Sequence, residues 1–235
     1  MPKPTIVLVH GAFAESSSWN GVIDAILRAD RPVVAYANPL RGVASDAAGL
    51  SDLLRTIDGP VVLAGHSYGG SVITAADPES ADVKALVYVA AFAPEEGESA
   101  LELSSRWPGS TLGAALAPIA RADGGGTDLS IQLDRFHAQF AADVSTVEAK
   151  LMAATQRPVA QAALEEGAPA GPLWKSVPAH FIHGDLDLNI PPAGLRAMAE
   201  RAGAEPVELT GASHALGVSR PSEVAEVILK AAAQA

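Results

Sequence analysis

The sequence lacks cysteine altogether and has few basic residues and few aromatic ones. Without thiols, the chain cannot form disulfides, thiolate metal sites or a cysteine nucleophile. Its 16 lysines and arginines are outnumbered by 27 aspartates and glutamates, which gives a formal net charge of -11 at pH 7. Such a surface repels nucleic-acid phosphates, and no apolar run reaches the roughly 18 residues of a membrane span. We therefore expect neither nucleic acid nor a membrane among its partners.

The N-terminal segment gives only a poor match to a secretory signal. Residues 5–9 are apolar and residues 12–14 imitate a small-residue cleavage site. The apolar run is shorter than the usual hydrophobic region, however, and only Lys3 supplies a positive charge before it. We expect a soluble, cytoplasmic protein.

The apolar fraction is large, at 49% of 235 residues, which suits one domain with a substantial core. Short β-branched apolar runs alternate with helix-like segments, and such continuous runs are typical of parallel strands covered on both faces. The predicted strands span residues 5–9, 32–37, 60–64, 84–91, 180–183 and 206–209. Helices are predicted from residue 17 or 18 to 28, from a Ser45 cap to 57, over 192–201, and from 221 onward. The sequence thus predicts an α/β fold with a mostly parallel sheet flanked by helices.

Between residues 94 and 178 this rhythm of strands stops. Alanine-rich segments there are interrupted by prolines and by three glycines at 124–126. Because strand-like segments resume afterwards, an insertion fits better than a separate domain. We expect a helical cap at 94–178, inserted between two strands of a single domain that spans 1–235.

Residues 65–70, Gly-His-Ser-Tyr-Gly-Gly, follow a predicted strand and open a predicted helix. This is the setting of a nucleophile elbow, a turn so tight that the serine stands clear of the sheet and its neighbours two positions away must lack side chains. Gly65 and Gly69 meet that need, which makes Ser67 the candidate nucleophile. A glycine-rich phosphate loop is the alternative, but the Lys-Ser/Thr ending of such a loop is absent.

A serine hydroxyl needs a base to take its proton, and the base needs an acid to orient it. His214 lies in a loop after the last predicted strand and fits the chain order nucleophile, acid, base. Asp185 and Asp187 follow the preceding strand and compete for the acid role. Asp187 is favoured, because two further residues let its carboxylate turn back toward His214, whereas Asp185 suits bonding to loop amides. The predicted catalytic residues are therefore Ser67, Asp187 and His214.

The remaining histidines have plainer interpretations. His10 and His66 are expected to pack or to shape loops, and His137 to lie partly buried in the cap. His180 and His183, with the aspartates that follow them, could suggest a metal cluster. A period of two sends these two histidines to opposite faces of a strand, so we expect no metal.

Cleavage of an acyl group also needs donors for the oxyanion. We expect the backbone amide of Tyr68, immediately after the nucleophile, and that of Ala12, in the loop after the first strand. The alternative for that loop is an ordinary strand-to-helix turn. Nothing in this set of residues requires a metal or an organic cofactor.

A substrate pocket is expected beneath the cap. Large apolar residues of the insertion are candidates for it, although packing as cap core is their commoner role; they are Trp107, Phe136, Phe140, Met152 and Trp174. The aromatic content of only 5% favours a pocket lined by aliphatic side chains.

Four motifs occur in a characteristic order: His-Gly-Ala at residues 10–12, the elbow at 65–70, Gly184 with Asp187 and Pro191, and His214. In this the chain resembles the serine carboxylesterases of the α/β-hydrolase superfamily, within the group of small bacterial esterases, plant methylesterases and hydroxynitrile lyases. The resemblance implies an α/β-hydrolase fold and a cofactor-free enzyme that cleaves a small-molecule ester through an acyl-enzyme.

Departures from some relatives favour the esterase branch. Hydroxynitrile lyases of the plant type carry threonine and lysine where this chain has Gly11 and Ala215, and epoxide hydrolases carry aspartate in place of Ser67. Two alternatives stay open: a binding or receptor protein on a hydrolase scaffold that turns over little or nothing, and a cofactor-free perhydrolase.

Overall fold

The computed structural model describes residues 2–235 and arranges their nine strands in two sheets. The strands are β1 (Thr5–Val9), β2 (Val33–Tyr36), β3 (Pro60–His66), β4 (Asp82–Val89), β5 (Leu116–Ala120), β6 (Thr127–Ile131), β7 (Val159–Ala160), β8 (Ala179–Gly184) and β9 (Val207–Leu209). All six strands predicted from the sequence are present, with ends that differ by at most two residues.

The larger sheet has the strand order β2-β1-β3-β4-β8-β9, and every neighbouring pair in it is parallel. Successive residues of β1 point to opposite faces, so Val7 packs into one hydrophobic core and Leu8 into the other. The central strands are buried on both faces, as their continuous apolar sequences predict. Because the strands run in parallel, the loops after β1, β3, β8 and β9 emerge at the same edge.

The helices are α1 (Asn20–Arg28), α2 (Val43–Leu54), α3 (Tyr68–Thr74), α4 (Ala100–Ser105), α5 (Leu112–Ala115), α6 (Phe136–Phe140), α7 (Thr146–Thr155), α8 (Gln161–Glu165), α9 (Pro192–Arg201), α10 (Leu216–Ser219) and α11 (Pro221–Ala233). The predicted Ser45 cap of α2 is wrong, because the first helical bond already joins the Asp46 amide to the Gly42 carbonyl (2.8 Å). A 3-10 turn at Ser16–Trp19 delays the start of α1 to Asn20. Within residues 2–235, no helix has both the length and the apolar character that crossing a bilayer requires.

β4 and β8 are neighbours in the larger sheet, and the chain between them forms the insertion. It is not the helical cap that the sequence predicts, since it contains, besides helices, a three-stranded antiparallel sheet formed by β5, β6 and β7. The glycines interpreted as helix breaks form the β5–β6 hairpin turn, in which Gly124 and Gly126 adopt positive φ angles of 73° and 99°. Leu129 and Ile131 alternate with polar neighbours and point into the core, as in a half-buried strand.

Candidate active site

The turn between β3 and α3 has the strained geometry of a nucleophile elbow. Ser67 has a φ of 53° and a ψ of -123°, a conformation that residues with a side chain rarely adopt. A Cβ on Gly65 would lie 2.6 Å from the Gly69 carbonyl oxygen, and a Cβ on Gly69 would overlap the Val9 carbonyl. Both glycines are therefore required for the strand and the helix to approach, and the turn presents Ser67 to a cavity at the edge of the sheet.

His214 and Asp187 form a buried pair beside this turn. The His214 Nδ1 atom lies 2.6 Å from Asp187 Oδ2, while Asp187 Oδ1 accepts the amides of Asn189 (2.8 Å) and Ile190 (2.9 Å). Since the carboxylate accepts from Nδ1, that nitrogen carries the proton and Nε2 has a free lone pair. Nε2 is buried without a hydrogen-bond partner among the described residues, and His214 lines the same cavity as Ser67.

The two candidate aspartates occupy different positions in the loop after β8. Asp187 reaches His214, whereas Asp185 Oδ1 accepts the amide of Gly211 (2.7 Å) and so ties the loop after β8 to the loop after β9. This matches the turn-forming role that the sequence indicates for Asp185. Within residues 2–235, no three histidine, aspartate or glutamate side chains are grouped as ligands of a metal ion would be.

His66 has a larger role than the sequence suggests. Its Nε2–H donates to the carbonyl oxygen of His214 (3.0 Å), and the centres of the two rings lie 4.8 Å apart. Burial, reinforced by the nearby His214 charge, lowers the pKa of His66 to about 3. His66 therefore stays neutral at physiological pH, holds the backbone of His214 and places no positive charge beside that ring. The bond joins residues 148 positions apart, so no local sequence pattern could predict it.

Because the pKa of His66 is lowered by folding, we expect the free energy of unfolding to depend on pH. Between about pH 6.5 and pH 3 the unfolded chain protonates this imidazole and the folded chain does not, so the free energy of unfolding falls as the pH is lowered. The slope from this group approaches about 1.4 kcal/mol per pH unit. In His66→Gln, whose side-chain amide can still donate to the His214 carbonyl, this contribution to the pH dependence of the free energy of unfolding is lost. The measurement is urea denaturation of wild type and variant at pH 8, 7, 6 and 5. The difference between their free energies of unfolding should be constant above pH 7 and should shrink below it. A difference that stays constant at all four pH values would contradict this account.

The loop after β1 packs directly on the elbow. A Cβ on Gly11 would lie 2.6 Å from both the His66 carbonyl oxygen and the Ser67 Cβ, so only glycine permits this approach. His10 fixes the same loop, because its Nε2 accepts the Asn38 amide (3.0 Å) and its Nδ1–H donates to the Gly11 carbonyl (3.0 Å). Burial also lowers the pKa of His10, which favours the neutral ring.

Two backbone amides at this junction make no hydrogen bond to another described residue. Tyr68 opens α3, so its N–H has no partner within the helix. In the loop after β1, the Phe13 amide donates to the Arg157 carbonyl (3.2 Å), whereas the Ala12 amide makes no hydrogen bond to another described residue. Ala12 and Tyr68 both line the cavity that Ser67 enters.

The cavity has a volume of about 580 Å³ and lies between the elbow and the insertion. Its wall is mainly apolar and contains aliphatic and aromatic side chains; the larger aliphatic ones are Leu101, Leu112, Leu116, Leu129, Leu164 and Ile190, and the aromatic ones are Phe13, Tyr68, Phe92, Trp107 and Phe140. The expectation of a pocket lined by aliphatic side chains therefore holds only in part. No lysine or arginine lines it, and the one carboxylate in its wall is the exposed Glu165, which accepts a hydrogen bond from Gln161 (2.7 Å). The cavity therefore suits an uncharged, largely apolar molecule.

The predicted pocket residues divide into two groups. Trp107 and Phe140 line the cavity, whereas the prediction is wrong for Phe136, Met152 and Trp174. Phe136 is fully buried against Phe140, with ring centres 5.0 Å apart. The Trp174 indole N–H donates to the Pro94 carbonyl (3.0 Å), and Met152 faces a separate cleft of about 160 Å³. Phe136 and Trp174 are buried in the hydrophobic core, and Met152 is partly buried against it. The sequence could not separate these residues from Trp107 and Phe140, because a pattern of apolar residues does not distinguish a face that packs from one that borders a cavity.

His137 lies in the cap as predicted. It is half-buried, and its Nε2 contacts the Val144 carbonyl oxygen (2.9 Å). Because this bond joins the first turn of α6 to the turn that follows the helix, His137 shapes the cap backbone.

Comparison with known proteins relates this architecture to a family. The fold is similar to that of polyneuridine aldehyde esterase, with a TM-score of 0.81 and 20% identity over 97% of this chain and 99% of that one. It is also similar to that of a methylesterase from Arabidopsis, with a TM-score of 0.80 and 18% identity over 98% and 99% of the two chains. A carbendazim hydrolyzing esterase from Nocardioides sp. (strain SG-4G) is 34% identical over 110 residues, which are 41% of this chain and 46% of that protein. Residues 6–227 match the model of the alpha/beta hydrolase family, and the chain belongs to this family.

Proposed function

We propose that the protein is a serine hydrolase that cleaves small carboxylic esters through an acyl-enzyme. The observation that carries the proposal is the buried Asp187–His214 pair, which leaves His214 Nε2 without a partner in the cavity that Ser67 lines. Such a nitrogen is poised to accept a proton from a nearby hydroxyl. The esterase names of the similar proteins favour the same chemistry.

In the first half of the reaction, Ser67 Oγ attacks the ester carbonyl while His214 Nε2 takes the hydroxyl proton. Asp187 holds the ring in the tautomer that leaves Nε2 unprotonated and stabilises the imidazolium that forms. The amides of Ala12 and Tyr68 donate to the oxyanion of the tetrahedral intermediate. Collapse of this intermediate breaks the bond to the alcohol, which leaves with the proton from His214.

In the second half, His214 takes a proton from water, and the resulting nucleophile attacks the acyl group on Ser67. The same two amides bind the second oxyanion. Its collapse returns the proton to Ser67 and releases the carboxylic acid. No metal or organic cofactor takes part in either half.

The experiment that tests this function is turnover of p-nitrophenyl esters with acyl chains from acetate to decanoate. An esterase releases many equivalents of p-nitrophenol per protein and prefers the chain lengths that fit the cavity of about 580 Å³. A single slow equivalent would instead indicate a binding protein on a hydrolase scaffold. Peroxide-dependent formation of a peracid faster than hydrolysis would indicate a perhydrolase.

Among ester substrates of similar size, we expect the charge of the acyl group to have the largest effect on kcat/KM. We expect p-nitrophenyl butyrate to exceed p-nitrophenyl hemisuccinate in kcat/KM by at least about 100-fold, because the cavity wall offers no cation to a buried carboxylate. Glu165→Gln should reduce this ratio only by about 2- to 5-fold, since an exposed charge is screened by solvent and salt. Equal kcat/KM values for the two esters would contradict an apolar, cation-free substrate site.

A further inference from the structure

We infer that Asp143 of the insertion is a positioning residue for His214, acting through a tether to Ser213; this rests on the proposed function of His214 as the base. The Ser213 hydroxyl donates to Asp143 Oδ1, and Arg220 Nη1 lies 3.2 Å from Asp143 Oδ2. Ser213 is only 2% exposed and the Asp143 side chain 12%, so water competes weakly for these contacts. The tether therefore joins the insertion to the residue immediately before His214.

Arg220 closes the tether on its other side. Its Nη2 donates to the Gly211 carbonyl (3.4 Å), so one guanidinium contacts both the Asp143 carboxylate and the loop that carries His214. Residues 210–215 belong to no helix or strand, and their position depends on such side-chain contacts. The loop is thus restrained at Gly211 by Arg220 and at Ser213 by Asp143, both shortly before His214 in the chain.

The same segment of the insertion also touches the ring of the base. Phe140, the last residue of α6, packs edge-on against His214 with ring centres 4.9 Å apart. Asp143 follows three residues later, in a turn closed by the Val144 amide and the Ala141 carbonyl (3.0 Å). One short stretch of the insertion therefore holds His214 both by its ring and through its neighbour's hydroxyl.

Neither Asp143 nor Ser213 lines the substrate cavity. Loss of the tether should therefore leave substrate binding intact and reduce the fraction of time in which His214 Nε2 is aligned with Ser67. A small misplacement of a catalytic group lowers the rate by up to about 100-fold. The expected effect of the tether is consequently on kcat and on the reactivity of Ser67, with little change in KM.

The test compares Asp143→Ala, Asp143→Asn and Ser213→Ala with wild type, by ester hydrolysis and by the rate of Ser67 labelling with a fluorophosphonate. We expect kcat and the labelling rate to fall about 10- to 100-fold in both alanine variants, with KM within about 2-fold of wild type. Asp143→Asn should lose less, because its amide oxygen still accepts from Ser213. Asp128→Asn is the matched control, since Asp128 pairs the insertion with Arg41 (2.8 Å), makes no hydrogen bond or ion pair with Ser213 or Arg220, and should keep full activity.

Coupling between the two residues distinguishes a tether from two independent effects. In the double variant of Asp143→Ala and Ser213→Ala, the fold-loss in kcat should be well below the product of the single losses, since both remove one contact. If Asp143→Ala does not fold, Ser213→Ala, which removes only a hydroxyl, carries the test. Wild-type kcat in folded Ser213→Ala, fully multiplicative losses, or an equal loss in Asp128→Asn would overturn the tether. Absence of Ser67-dependent turnover in wild type would instead overturn the proposed function.

Discussion

Ser67→Ala is expected to lower kcat for p-nitrophenyl esters by roughly 10⁴- to 10⁶-fold, the range seen when the nucleophile of a Ser-His-Asp triad is removed. The methyl group cannot form an acyl-enzyme, so the initial burst of p-nitrophenol and labelling by a fluorophosphonate should both vanish. The cavity and the two free amides are unchanged by the substitution, so KM should shift little. The small residual rate would come from the oxyanion donors and from substrate binding alone.

Ser104→Ala is the matched control for this prediction. Ser104 lines the same cavity, but its hydroxyl donates to the Leu101 carbonyl (2.9 Å) within α4 and has no base beside it. We expect its kcat and its labelling by the probe to stay within about 2-fold of wild type, since the substitution removes only one hydroxyl that is bonded within its own helix. The assignment of Ser67 fails if Ser67→Ala keeps most of the activity, or if the probe labels another serine in that variant.

The sheet could be predicted from the sequence because each strand is a local signal. A strand buried on both faces must be continuously apolar, and Thr5–Val9 and Pro60–His66 meet that demand within seven residues or fewer. The cap sheet lacks such a signal. The glycines at 124–126 are equally suited to end a helix or to turn a hairpin, and only the pairing of Leu129 with Pro118 and Val159 decides between them.

In the candidate site, too, the features set by neighbouring residues could be predicted from the sequence, and those set by distant residues could not. The elbow at Ser67 is local, since two glycines and a strand-to-helix junction define it, and the choice of Asp187 over Asp185 follows from the length of one turn. The bond from His66 to the His214 carbonyl and the tether from Asp143 to Ser213 join distant parts of the chain. Contacts of this kind depend on the assembled fold, so no spacing in the sequence could reveal them.

Asp187→Asn is expected to lower kcat by about 10⁴-fold with little change in KM, a loss similar to that of other triads in which the orienting carboxylate becomes an amide. The asparagine oxygen can still accept the amides of Asn189 and Ile190, which now bond Asp187 Oδ1. The other end of the new side chain is an N–H donor, so it favours the His214 tautomer with an unprotonated Nδ1. Nε2 then carries the proton and cannot accept one from Ser67.

Asp185→Asn separates this effect from general damage to the loop after β8. Its side-chain oxygen can still accept the Gly211 amide, and Asp185 does not contact His214, so its kcat should remain within a few-fold of wild type. Thermal unfolding of both variants checks that the loop remains intact. A larger loss of kcat in Asp185→Asn than in Asp187→Asn would reassign the acid to Asp185. Near-normal kcat in a folded Asp187→Asn would mean that the 2.6 Å contact with His214 is structural, and that the base is oriented by the loop alone.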